Sequence, residues 1–127
     1  MDEKDLKNRT KQFALRIIKL VGALPETTSG RAIGNQLVRS GTSVGANYRA
    51  ACRARSKAEF ISKIGIVEEE ADESAFWLEL IMEGSLMTEK NILPLHKEAE
   101  ELIAIFTAIG RTAKSEIKKI HNPKSKI

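Results

Sequence analysis

Glu69 and Glu73 stand four residues apart in an acidic run, a spacing that places two carboxylates on one face of a helix. In helical bundles such pairs serve di-iron chemistry when Glu-x-x-His motifs project into the core beside them. His96 and His121 are the only histidines, and neither has a carboxylate at that offset in the required order. The glutamates also fall largely off the apolar stripe, so neither a metal nor another cofactor is expected. Cys52 would need a neighbouring base to act as a nucleophile, and no histidine is near it in sequence. A small apolar filler in a core or interface is the plainer reading. Gly30-x-x-x-Gly34 and Gly41-x-x-x-Gly45 lack the strand and the Gly-Lys-Ser/Thr of a phosphate-binding loop, which leaves them a packing role. Trp77 reads as a large buried anchor rather than a base-stacking platform. No catalytic centre emerges from these residues, and an enzyme is not expected.

The remaining chemistry is charge, and it is sorted by segment. From Arg31 to Lys57 the charged residues are Arg31, Arg39, Arg49, Arg53, Arg55 and Lys57, with no Asp or Glu among them. At 100° per residue, Arg31, Arg39, Arg49 and Arg53 share one broad sector opposite Ile33, Leu37 and Val44. From Glu68 to Glu83 the run is wholly acidic: Glu68, Glu69, Glu70, Asp72, Glu73, Glu79 and Glu83. Guanidinium groups match phosphate oxygens bidentately, and each neutralised phosphate releases counterions. Arg39, Arg49, Arg53, Arg55 and Lys57 are therefore candidate nucleic-acid contacts. The other reading pairs these cations with the acidic helix, within a subunit or across an interface, and both readings can hold for different residues. Further cations lie at the two ends, Lys4, Lys7, Arg9 and Lys11 at the start and Arg111, Lys114, Lys118, Lys119, Lys124 and Lys126 at the finish.

Four amphipathic segments must position this charge. Leu6, Phe13, Ile17, Leu20, Val21 and Leu24 recur at helical spacing, and Pro25 ends that helix. Ser29 is the expected cap of a second helix containing Ile33, Leu37, Val44 and Tyr48, whose middle is a run of small residues with two glycines. Those glycines cost about 1 kcal/mol each against alanine, so they imply close approach by another helix or else a kink near Gly41. Ser56 and Glu59 form a capping-box pattern that opens a third helix. Its main stripe is Phe60, Ile64, Val67, Ala71, Ala75, Leu78 and Met82. A second set, Ile66, Trp77, Leu80 and Ile81, adds apolar surface that hints at a subunit contact. The fourth helix carries Leu95, Ala99, Leu102, Phe106, Ile109, Ala113, Ile117 and Ile120, with Pro94 in its first turn.

The expected fold is all-α: an antiparallel up-down four-helix bundle with helices at about 5–24, 30–55, 57–84 and 93–120, and a frayed tail at 121–127. A length of 127 residues with 42% hydrophobic content suits a single domain with one core. The formal net charge of +4 favours acidic partners. One cysteine rules out an intramolecular disulfide and suits a reducing cytoplasm. The charged N-terminus lacks a signal-peptide core, and no apolar run approaches the roughly 20 residues of a membrane span, so no membrane partner is expected.

The run Gln36-Leu37-x-Arg39-Ser40-x-x-Ser43-Val44-Gly45-Ala46-Asn47-Tyr48-Arg49 continues into Arg53-Ala54-x-Ser56 and Glu59-Phe60-Ile61. With Glu69-Glu70-Ala71-Asp72-Glu73, Trp77-Leu78-Glu79-Leu80 and Leu24-Pro25, it resembles the four-helix bundle family named for the 23S ribosomal RNA intervening-sequence protein. The likeness covers nearly the whole chain and implies a small cytosolic homopentamer, often without an assigned activity. It extends to the accessory variability determinant of diversity-generating retroelements, a basic pentameric barrel, which implies partners in nucleic acid and a reverse transcriptase. Ala50 departs from the glutamate that often follows the Tyr-Arg pair, which leaves Arg49 or Arg53 freer for another partner. The expectation is a non-catalytic homo-oligomer that binds RNA or DNA without reading sequence. The alternative is a structural adaptor that binds another protein and uses its charge blocks for self-assembly.

Overall fold

Short polar residues placed just ahead of each apolar run start the helices. A computed structural model describes residues 1–121, and these form four α-helices and no strand: α1 (Glu3–Gly22), α2 (Thr28–Cys52), α3 (Lys57–Glu83) and α4 (Glu89–His121). At α1, the Asp2 carboxylate accepts the Asp5 N–H at 2.8 Å and the Asp5 carboxylate accepts the Asp2 N–H at 3.2 Å, a reciprocal cap. Thr27, not Ser29, caps α2 by accepting the Gly30 N–H at 3.1 Å. Ser56 caps α3 by accepting the Glu59 N–H at 3.0 Å, but the Glu59 carboxylate takes the N–H of Arg55 rather than that of Ser56.

Two boundaries differ from expectation by three residues or more, for identifiable reasons. Helix α2 ends at Cys52 rather than near 55, because Ser56 must be extended to cap α3 and the chain has to leave the helix first. Arg53 and Arg55 therefore sit at and beyond the helix end. Helix α4 begins at Glu89 rather than near 93: the Thr88 carbonyl already accepts the Asn91 N–H at 3.0 Å. Pro94 thus lies in the second turn, where it withdraws the N–H that would serve the Lys90 carbonyl, and exposed Lys90 leaves that carbonyl to water. The expected frayed tail falls outside the described residues, except for His121, which closes α4.

The small-residue run of α2 is continuous helix with no break at Gly41. Gly41 lies against Ile17 of α1 so closely that an added Cβ would stand 2.8 Å from Ile17 Cγ1. At Gly45 an added Cβ would stand 3.3 Å from Thr10 Oγ1. Close backbone approach recovers dispersion contacts that offset the poor helix propensity of glycine. Thr10 is itself fully buried, and its hydroxyl donates to the Leu6 carbonyl at 2.9 Å.

Helix α2 packs on α1 and α3, and α4 packs on α3 and, less extensively, on α1. The shared core contains Phe13, Ile17, Leu37, Val44, Ile64, Leu78, Ile81, Leu102 and Phe106, all fully buried. Burying each such aliphatic side chain contributes about 1.5–3 kcal/mol. Between α2 and α3 the buried Ser40 and Ser74 hydroxyls lie 2.9 Å apart, and Ser74 Oγ is also 2.8 Å from the Glu70 carbonyl.

The thinner α1–α4 seam is held by charge. Arg9 Nε and Nη2 each donate to the Glu98 carboxylate at 2.7 Å, a bidentate pair, and Nη2 also lies 3.4 Å from Glu101. The Arg9 hydrogen bonds hold the Glu98 carboxyl below its ordinary value of 4.5 against the opposing effect of burial. A depressed carboxyl adds stability that is complete above the unfolded value and is lost as pH falls through the lower folded value. Glu98→Gln is therefore expected to lower stability by about 1–2 kcal/mol at neutral pH. Its deficit against the parent should shrink in acid, which denaturant unfolding at neutral and acidic pH would measure.

Candidate nucleic-acid interface

Close approach of α1 to α2 sets their outward side chains across a shallow trough. Lys7, Asn8 and Lys11 of α1 form one wall, Arg49 of α2 and Arg53 at its end form the other, and Ala14, Thr42, Gly45 and Ala46 complete an open groove of about 570 Å³. The spacings Lys7 to Lys11 and Arg49 to Arg53 are each about 6 Å along a helix axis at 1.5 Å per residue. Lys11, Arg49 and Arg53 are exposed, and Lys7 is half-buried with Glu3 3.1 Å from its Nζ. Among the described residues, Arg49 and Arg53 have no carboxylate at ion-pair distance. The groove therefore presents the positive charge of Lys11, Arg49 and Arg53, with Lys7 paired to Glu3, over a floor of small side chains, the arrangement that lets an anion approach the backbone.

The other cations singled out by sequence lie elsewhere. Arg39 belongs to the α2–α3 seam, with Nη1 2.9 Å from Glu70 Oε2 and Nη2 bonded to Glu73. Trp77 Nε1 donates to the same Glu73 carboxylate at 3.0 Å, and these bonds, that of Trp77 foremost, hold the Glu73 carboxyl below its ordinary value. Lys57 donates to Glu116 of α4 at 2.6 Å and lies 5.8 Å from the centre of the Phe60 ring. Arg55 is exposed in the α2–α3 turn. Of the five candidate contacts, the structure brings only Arg49 and Arg53 together, and joins to them Lys7 and Lys11, which the sequence counted among the cations of the N-terminal end, and Asn8, which it did not single out. Their signal in the sequence was the recurrence of Lys7, Lys11 and Ala14 on the α1 face that the α2 glycines draw in.

The proposed subunit contact also needs correction. Ile81 is fully buried within the protomer, where it faces the core rather than the surface. Trp77 is half-buried against the core, edge-on to Phe76 at 5.1 Å, while Ile66 and Leu80 are partly exposed. Phe76, 50% exposed, is the apolar residue that the sequence reading missed. Ile66, Phe76 and Leu80 fall within a sector of about 80° on α3, among exposed Glu69 and Asp72.

Neither histidine nor cysteine chemistry assembles around these surfaces. His96 of α4 places Nε2 2.8 Å from Glu79 of α3 and Nδ1 2.9 Å from Glu100, bridging two helices. Among the described residues, no group of three or more His, Cys, Asp or Glu is placed to hold a metal. Burial pushes the Cys52 thiol up, away from the thiolate that a nucleophile requires. No described helix is long and apolar enough to cross a membrane.

An all-α, four-helix chain with an open cationic groove between its first two helices defines the class: a small helical protein with a basic groove. The model of the 23S rRNA-intervening sequence protein family matches residues 3–108, and the chain belongs to that family. Its structure is similar to the crystal structure of a protein of unknown function from the S23 ribosomal protein family of Bacteroides thetaiotaomicron. That likeness has a TM-score of 0.81 and 32% sequence identity, and covers 87% of this chain and 99% of the other. A comparison with curated proteins returned no match. Neither similarity carries a named reaction.

Proposed function

We propose that this chain is a non-catalytic cytoplasmic subunit, an antiparallel up-down bundle in a homo-oligomer, that binds RNA or DNA through phosphate contacts in the α1–α2 groove. The observation that carries the reading is the pair Arg49 and Arg53, exposed, without carboxylate partners among the described residues, and facing Lys7 and Lys11 across the groove. The lining is dominated by cations and small side chains, with Asn8 its one amide, so its contacts are chiefly to phosphate, which position the ligand without specifying sequence. If four cations engage four phosphates, affinity for duplex should fall by about 100-fold between 50 and 200 mM salt. A salt-titrated binding assay would read this, and a salt-independent affinity would exclude the phosphate-contact mechanism.

The adaptor reading draws its support from a different surface. Ile66, Phe76 and Leu80 expose apolar area beside acidic groups on α3, which suits a protein contact, whether with a second copy or with another chain. Phe76→Asp with Leu80→Asp is expected to leave the helix content unchanged and to reduce the assembly to smaller species. Light scattering coupled to gel filtration would measure it, and an unchanged mass would remove this face from the interface.

A further inference from the structure

The groove lacks any aromatic side chain. Its lining is cationic, amide, hydroxyl or no larger than alanine, and the nearby Tyr48 ring is 5% exposed and packed on Phe106 at 5.3 Å between centroids. Of the accessible rings, Phe76 with Trp77 lies on α3 among Glu69, Asp72 and Glu73, where phosphates are repelled, and the half-buried Phe60 lies beside Lys57, outside the groove's lining. Proteins that hold single strands obtain much of their affinity by stacking unpaired bases on aromatic rings, about 1–3 kcal/mol per base. This groove has no ring for that purpose.

What it does offer is phosphate neutralisation from two facing rows. Four residues, about 6 Å along the helix axis, separate the cations on each wall. A site that works by charge alone favours the ligand with the higher density of phosphate. Duplex releases about 0.9 counterion per contact against about 0.7 for a single strand. A duplex backbone is also already ordered, whereas a single strand loses conformational freedom without any stacking to offset it.

Resting on the nucleic-acid reading above, we infer that the ligand class of this groove is the backbone of a double helix rather than a single strand. The test uses the full chain with a duplex of mixed sequence and with each of its separated strands. Affinities are compared at equal phosphate concentration and low salt, by fluorescence anisotropy. Duplex is expected to bind at least about tenfold more tightly, and Arg49→Ala with Arg53→Ala should weaken the duplex more than the single strands. These positions are exposed, and thermal unfolding of the variant checks that it is folded. Single strands that bind as tightly as duplex, in a manner dependent on the arginines, would overturn the duplex inference and leave the groove's nucleic-acid reading standing. Binding of neither form, or binding indifferent to the arginines, would overturn both.

Discussion

Reversing Arg49 and Arg53 together to glutamate is expected to weaken nucleic-acid binding by at least about 100-fold at low salt, with folding stability unchanged. Each reversal removes one phosphate contact and adds one repulsion, and two contacts of about 1–1.5 kcal/mol already approach that factor. Stability should hold because neither guanidinium has a carboxylate at ion-pair distance among the described residues and both are exposed. Arg39→Glu supplies the contrast. Arg39 is tied to Glu70 and Glu73, so its reversal should loosen the α2–α3 seam by no more than about 1 kcal/mol, given its half-exposed side chain, and leave binding nearly unaltered. Parallel anisotropy and thermal unfolding separate the outcomes. Equal binding losses at Arg39 and at the groove arginines would show that overall charge, not the groove, drives binding.

Substituting the buried Gly41 by valine is expected to destabilise the protein by about 3 kcal/mol. The valine Cβ would begin 2.8 Å from Ile17 Cγ1 and 2.9 Å from Ile17 Cγ2, and two further carbons would extend into a fully buried side chain. Ile17→Ala alone should cost about 2–5 kcal/mol by opening a cavity. In the double variant the removed Ile17 atoms make room for the valine, so the two losses should fall short of their sum by about 1–3 kcal/mol. Denaturant unfolding of the four proteins in the cycle would measure the coupling. The same substitution bears on function. Forcing α1 away from α2 spreads the Lys7–Lys11 wall from the Arg49–Arg53 wall, so binding should weaken even where the protein remains folded.

The helices were legible because their punctuation is local. Pro25 lies just past the end of α1 at Gly22, Ser56 caps α3, and the threes-and-fours pattern of α1 and α4 points one way. The third helix was harder because it packs on both α2 and α4 and is apolar around much of its circumference. One residue of rotation decides between Leu80, partly exposed, and Ile81, fully buried, and sequence alone does not fix that rotation. The exposure of Phe76 was missed for the same reason. The start of α4 was misplaced because Pro94 is tolerated one turn deeper when the carbonyl it orphans lies in water.

The groove was only half legible. The unopposed arginines of α2 stood out by charge, but which of them are paired depends on tertiary contact: Arg39 reaches Glu70 and Glu73, while Arg49 and Arg53 reach no carboxylate among the described residues. The opposite wall was hidden among N-terminal lysines. It became part of a site only because Gly41 and Gly45 draw α1 in, a distance that no count of charges contains.

The most direct measurement is the slope of log affinity against log salt for the parent, the Arg49→Ala with Arg53→Ala variant, and Arg39→Ala, on one duplex. Each groove arginine that contacts a phosphate should lower the magnitude of the slope by about 1 when removed, so the double variant should lose about 2 and Arg39→Ala about 0. A slope that stays the same when Arg49 and Arg53 are removed would contradict the assignment of this groove as the phosphate-binding surface.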